Sequence, residues 1–288
     1  FDLDRMPNDY YLRNGTVYYI IYVKDKGHGF FSNFFHVLFH ISIAEFYNWI
    51  PIVDMENYRT LYNENNKICG TYNSWEYYFK QSKSLSDIDI KKDKVVLCDG
   101  NFPYKIFEEF YYNNEEYFYN LFKKYIFLRD DIIKELNFFK KKYFDNNLVI
   151  GVHWRGTDRV VAMYKPEGSF LYKSRKILTI SELAKIIDPI IKKDLSIKIF
   201  LSTDEVNYIK KFQDLYGDRV FFTDCYRTTS QNGLHLESIS PRENHFYKLG
   251  YEVLIDSLLL SECDYLICNK SNVSNAAILF NYKKNRQI

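Results

Sequence analysis

The sequence has no run of about 18 uninterrupted apolar residues, the length a helix needs to cross a bilayer. Its most apolar stretch, residues 30–55, is broken by Ser32, Asn33, His36, His40 and Glu45. Net charge is nearly absent. The 39 Lys and Arg against 37 Asp and Glu leave +2, so no broad basic field argues for a nucleic-acid partner. Cysteine is sparse. The five residues Cys69, Cys98, Cys225, Cys263 and Cys268 are odd in number, scattered, and form no CxxC pair. A disulfide framework is therefore not expected, and reduced thiols in a cytoplasmic setting are. The chain begins at Phe1 without a methionine, which suggests an upstream piece. Any peripheral membrane association would have to come through that piece.

Several catalytic signatures are also missing. HExxH and a close Cys/His set are absent, so no metal is expected. His36 and His40 stand i, i+4 and could share an ion, but no third ligand lies near them in sequence. Packed helix histidines are the expectation there. There is no GxSxG elbow, no GxGxxG and no GxxxxGK[ST].

What is present is an alternation of strands and helices. Residues 17–23 (VYYIIYV) read as a strand buried on both faces. A loop containing Gly27 and Gly29 follows. Phe34, Val37, Leu38 and Ile41 then recur at helical spacing, with Phe35, Phe39 and Ile43 on a second face. Residues 50–54 form the next strand. Strand, loop, helix and strand make a βαβ unit, which implies a parallel sheet. Residues 94–98 give another strand, and 114–127 and 130–143 two amphipathic helices. Asp145-Asn146-Asn147 is a turn cluster. A second alternation begins at Leu148, with strands at 148–154, 197–202, 220–223 and 265–268. Helices are expected at 181–191, 205–216, 246–262 and from 274, the first with a break or kink at Asp188-Pro189. The fold class is α/β, with two halves, residues 1–145 and 146–288.

Open α/β sheets bind ligands beyond the carboxyl ends of their strands. The segment "GVHWRGTDRV" (151–160) leaves such an end with His153, Arg155, Asp158 and Arg159. A strand-end guanidinium can grip a phosphate through two parallel hydrogen bonds. An ion pair between Asp158 and either arginine explains the same residues as well. Asp204 and Asp224 follow two further strands. Either could accept from a nucleoside, although Asp204 is better read as a helix cap. Ser271 and Asn272 precede the last helix, as a cap or as anion donors.

Taken together these segments resemble the fucosyltransferases of the α1,6 and protein-O-fucosyl type. The resemblance rests on "GVHWRGTDRV", "IFLSTDEVNYIKKF" (199–212), "VFFTD" (220–224), "NGLHLE" (232–237) and "GYEVLIDSLLLSECDYLICNKSNVS" (250–274). In the first half only "GHGFFSNFFHVL" (27–38) takes part. The resemblance implies a GT-B-like fold of two Rossmann-like domains facing a cleft, with the acceptor side in 1–145 and the nucleotide-sugar side in 146–288. It implies an inverting, metal-independent transferase that moves fucose from GDP-fucose to a carbohydrate acceptor, with no cofactor.

Carried over by position, Arg155 holds the β-phosphate, His153 contacts the nucleoside, and Asp224 reads guanine, with Asp204 a second nucleoside contact. Ser271 and Asn272 give donors to phosphate, and Gly29 and Asn33 approach from the other domain. The chain departs from the family at Gly156, where the α1,6 enzymes carry a second arginine, and at Met163, near the place of their proposed glutamate base. Glu167, Asp158 and Glu76, in that order, are the substitutes. Another nucleotide sugar, an inactive binding module and a purely structural α/β protein remain alternatives.

Overall fold

The structure is a computed structural model, and it describes residues 16–89, 91–154, 179–227, 242–268 and 271–283. Two parallel sheets organise it. The first has the order β2-β1-β4, built from β1 (Val17–Ile21), β2 (Ile50–Val53) and β4 (Lys94–Leu97). The second has the order β8-β7-β6-β9, built from β6 (Val149–Trp154), β7 (Lys198–Thr203), β8 (Val220–Phe221) and β9 (Tyr265–Cys268). Every pairing in both sheets is parallel. A short antiparallel pair, β3 (Phe79–Lys80) with β5 (Phe127–Leu128), stands apart from them.

The central strands match their sequences. All six residues of β6 are buried, as expected of a strand covered on both faces. At the edge, β4 alternates, leaving Val95 and Leu97 exposed. The helix α1 (Phe30–Phe46) is buried nearly all round, which its two apolar faces require. Then come α2 (Tyr104–Asn113), α3 (Glu115–Tyr125), α4 (Asp130–Tyr143), α5 (Ile180–Lys193), α6 (Val206–Tyr216), α7 (His245–Glu262) and α8 (Asn272–Phe280). At the 145–147 turn, Asn146 takes a left-handed φ of 62°, which asparagine tolerates better than most residues.

Two expectations need correction. Residues 104–113 form a helix of their own, ending where Asn114 turns out of helical geometry (φ −140°). Its buried residues, Phe107 and Tyr111, are a single i, i+4 pair, too short a signal beside the exposed Ile106 and Phe110. Pro189 does not break its helix, because α5 runs on to Lys193. A proline inside a helix removes one backbone hydrogen bond, and the buried Leu183 and Ile187 hold this helix against the second sheet's core.

One hydrophobic core runs through both halves. It joins α1, α3 and the Trp75–Phe79 segment to α7 and α8. In the segment "WEYYF" (75–79), Trp75, Tyr77, Tyr78 and Phe79 are all buried core. Tyr78 Oη donates to the Tyr247 carbonyl at 2.9 Å. Beside it, Gly250 lets α7 pass close, since a Cβ there would fall 2.2 Å from Tyr78 Oη. Beneath the second sheet lies a separate core of Ile150, Val152, Leu183, Ile187, Ile199, Leu201 and Phe212.

Candidate functional site

In the order β8-β7-β6-β9, the chain leaves β6 for β7 on one side and reaches β9 on the other. This reversal makes the carboxyl end of β6 a topological switch point, where open α/β sheets leave a crevice. His153 sits there, in register with Ser202 of β7 and Cys268 of β9.

The His153 side chain is 6% exposed and joins a small hydroxyl cluster. Its Nδ1 lies 3.0 Å from Ser274 Oγ and 3.5 Å from Ser271 Oγ, and the two serine oxygens are 2.9 Å apart. Ser271 is also the N-cap of α8, accepting from the Ser274 amide at 3.1 Å. The capping interpretation of Ser271 therefore holds, and it brings Ser271 and His153 together. Asn272 opens the helix beside them. Ser274 completes the cluster, although nothing in its sequence context singled it out.

Asp204 and Asp224 follow β7 and β8. The capping interpretation of Asp204 fails. Glu205 holds the N-cap position of α6 without a side-chain cap bond, and Thr203 Oγ1 accepts from the Glu205 amide at 3.2 Å. Asp224 is exposed. Between these two strand ends lies a residue that sequence reasoning missed. The Asp256 carboxylate, brought from α7, accepts from Ser202 Oγ at 2.8 Å and from Thr223 Oγ1 at 2.5 Å. Burial pushes this carboxyl above its ordinary range, while Thr223, Ser202 and Arg227 work in the opposite direction. Arg227 fastens the same two loops. Its three nitrogens donate to the carbonyls of Thr203 (3.1 Å), Cys225 (3.0 Å) and Thr223 (2.8 Å).

A cavity of about 450 Å³ opens beside the β9–α8 turn. It is lined by Cys268, Ser274, Asn275 and Ile278 from the second half and by Tyr111, Tyr112 and Glu115 from the first. Tyr112 Oη donates to Asn275 Oδ1 at 3.3 Å, tying its two walls together. Burial raises the Glu115 carboxyl above its ordinary value.

On the first half, Gly29 is the residue before α1, and a Cβ there would meet no atom within 4 Å. Its φ of −67° suits any residue, so the fold itself does not demand glycine. Asn33, in the first turns of α1, is 5% exposed, and its Oδ1 has no hydrogen-bond partner among the described residues. Buried polar atoms are normally satisfied, so an orphan amide oxygen invites a donor from a ligand. Glu76 is not drawn into this region. Its carboxylate is engaged locally by Thr71 (2.8 Å) and Gln81 (2.9 Å). Arg155, Asp158 and Glu167 lie outside the described residues, as does the 232–237 segment. The paired histidines do gain a third neighbour: a ligand atom from each of His36, His40 and Cys98 lies within 4.8 Å of the other two.

The architecture has close counterparts among solved structures. The NodZ α-1,6-fucosyltransferase co-crystallised with GDP aligns over 91% of both chains, with a TM-score of 0.53 and 17% identity. The fold is that of NodZ. NodZ soaked with GDP-fucose aligns over 92% of both chains (TM-score 0.53, 16% identity). NodZ from Bradyrhizobium aligns over 92% of this chain and 93% of its own (TM-score 0.54, 16% identity). The α/β architecture with parallel sheets is thus shared with these fucosyltransferase structures, as expected. No protein-family model matches the chain, and no curated protein matches it by sequence. Among the described residues no helix is long and apolar enough to cross a membrane.

Proposed function

We propose that this chain is an inverting glycosyltransferase that transfers fucose from GDP-fucose to a carbohydrate hydroxyl without a catalytic metal. One observation carries the reading. His153, Ser271 and Ser274 cluster at the switch point of a fold shared over nine-tenths of its length with NodZ, which was co-crystallised with GDP and soaked with GDP-fucose. In this reading residues 146–288 bind the donor and residues 1–145 face the acceptor.

The roles follow from chemistry at the strand ends. Arg155 comes two residues after His153, where β6 has ended, and is assigned to the diphosphate. As the sugar leaves, negative charge builds on the β-phosphate, and a fixed guanidinium stabilises it most in the transition state. His153 and Asp204 contact the nucleoside, and Asp224 accepts from the guanine N–H groups. Ser271 has its hydroxyl committed to the Ser274 amide and the histidine cluster, so its part is to hold the turn. The amide hydrogens at the start of α8, beside Asn272, are assigned as the donors to phosphate. Asn33 Oδ1 is an acceptor and suits a sugar hydroxyl, with Gly29 leaving room for the ligand. Glu167, then Asp158, is assigned as the base that takes the acceptor proton. Glu76, held by Thr71 and Gln81, ranks after both for that role.

The test is release of GDP from GDP-fucose by the purified chain, with and without glycan acceptors. Arg155→Ala should lower turnover by about a hundredfold or more with the fold intact. Near-normal turnover in that variant removes Arg155 from the mechanism. GDP binding without turnover on any acceptor favours the inactive binding module, and turnover of a different nucleotide sugar replaces the donor.

A further inference from the structure

The order β2-β1-β4 gives the first sheet a switch point of its own, at the carboxyl end of β1. Tyr22 follows β1 there, and Cys98 follows the neighbouring β4. The α1 helix covers them with His36 and His40, one turn apart on one face. These histidines are 0% and 3% exposed, deep in a helix otherwise rich in phenylalanine.

Each ring has one nitrogen fixed by a close partner. His36 Nε2 lies 2.8 Å from the Tyr22 carbonyl oxygen. A carbonyl only accepts, so Nε2 carries the proton and Nδ1 is left as a buried, unpartnered lone pair. His40 Nδ1 lies 2.8 Å from Tyr19 Oη, while its Nε2 makes no well-formed hydrogen bond among the described residues. Asp99 Oδ1 lies 4.0 Å from Nε2, and a looser hydrogen bond with the Asn101 backbone also acts on the ring. A ring anchored through one nitrogen and bare at the other is how histidine is presented to a metal.

The third group is equally fixed. The Cys98 thiol lies 3.3 Å from the Tyr22 amide nitrogen and 3.4 Å from its carbonyl oxygen. The turn that follows is pinned, because Gly100 has φ +70° and a Cβ there would fall 2.4 Å from the Tyr22 ring. Lys24 also donates to the Gly100 carbonyl at 3.0 Å. Asp99, beside Cys98, has an exposed carboxylate whose Oδ1 already lies 4.0 Å from His40 Nε2. Two imidazoles, a thiolate and a carboxylate are a donor set suited to a borderline-soft cation such as Zn²⁺.

We propose that His36, His40 and Cys98 bind one Zn²⁺ ion, with the Asp99 carboxylate as its fourth ligand. Binding breaks the Cys98 S–H bond, forms a sulfur–zinc bond and releases one proton to solvent. The ion ties α1 to the strand ends of the first sheet. Asn33 stands one turn before His36 on the same helix, so the ion also fixes the helix that carries Asn33. It takes no part in the transfer chemistry, and its test is independent of donor binding.

The full-length chain, freed of metal with a chelator, is titrated with Co²⁺ and then Zn²⁺. One Co²⁺ per chain is expected, with tetrahedral visible bands and a thiolate charge-transfer band, both abolished by Zn²⁺. Cys98→Ser should remove the charge-transfer band, and Cys69→Ser should leave it. His36→Asn and His40→Asn should each weaken Zn²⁺ binding by about a hundredfold or more, beyond the usual loss from an outer partner. X-ray absorption on the wild-type zinc form should find one sulfur and two imidazoles, a readout that does not depend on the variants folding. Folded wild-type protein that gives no thiolate band overturns the proposal. So does a band that survives Cys98→Ser, or a different ligand count.

Discussion

His153 Nδ1 and Ser274 Oγ meet at 3.0 Å although 121 residues separate them. The contact joins the end of β6 to the first turn of α8, the two pieces of backbone proposed to flank the diphosphate. Ser274→Ala removes one hydroxyl from a buried cluster in which His153 and Ser271 also take part. A loss of about 1–3 kcal/mol is expected from leaving buried partners unsatisfied. Urea unfolding measures it, and calorimetry should show weaker GDP binding in the same variant.

Arg227 acts through the loops rather than on the donor. Its fork reaches three carbonyls, at Thr203, Thr223 and Cys225, and a lysine cannot reproduce that geometry. Arg227→Lys should therefore raise KM for the donor more than it lowers kcat, because the strand-end loops lose their shape. Steady-state kinetics across donor concentrations separates the two. An unchanged KM removes Arg227 from the site's support.

Asp256 gives the pH dependence a definite sign. Burial raises its folded-state pKa above the unfolded value. Between those two values the folded chain holds the extra proton, so stability from this group is present at low pH and falls as pH rises. Asp256→Asn should flatten that part of the profile, which lies above the ordinary aspartate value of about 4. Urea midpoints measured across this range decide it. An unchanged slope would show that Asp256 is ionised throughout.

Gly250 is fixed by packing. Alanine is about 1 kcal/mol better than glycine inside a helix, yet its Cβ would lie 2.2 Å from Tyr78 Oη and 2.6 Å from Cζ. Overpacking of this kind costs about 1–3 kcal/mol. Gly250→Ala should thus lower the melting temperature, and a rise would show that α7 can move away from Tyr78.

Local features were legible in the sequence, and cross-chain ones were not. The run VYYII, the two-faced apolar pattern of α1 and the apolar opening of β6 (residues 149–152) announce the two parallel sheets, because periodicity reports burial directly. "GVHWRGTDRV" pointed to the end of β6, and the structure makes that end the switch point. By contrast, Asp256 sits in a helical run beside Ile255 and Leu258, and nothing local shows that it faces Ser202 and Thr223. The same holds for Cys98. Its distance along the chain from His36 and His40 hid a neighbour that the order β2-β1-β4 brings to them. The cap at Asp204 failed because the helix begins one residue later than the Thr-Asp pattern suggests.

The central claim is a guanosine diphosphate site at the end of β6, and nucleotide-dependent thermal stability tests it most directly. A ligand that binds only the folded state raises the melting temperature as its concentration exceeds Kd. GDP should raise it in the wild-type chain, and UDP, ADP and CMP should not. No shift with any nucleotide, or a shift with one of the others but not with GDP, would contradict the account.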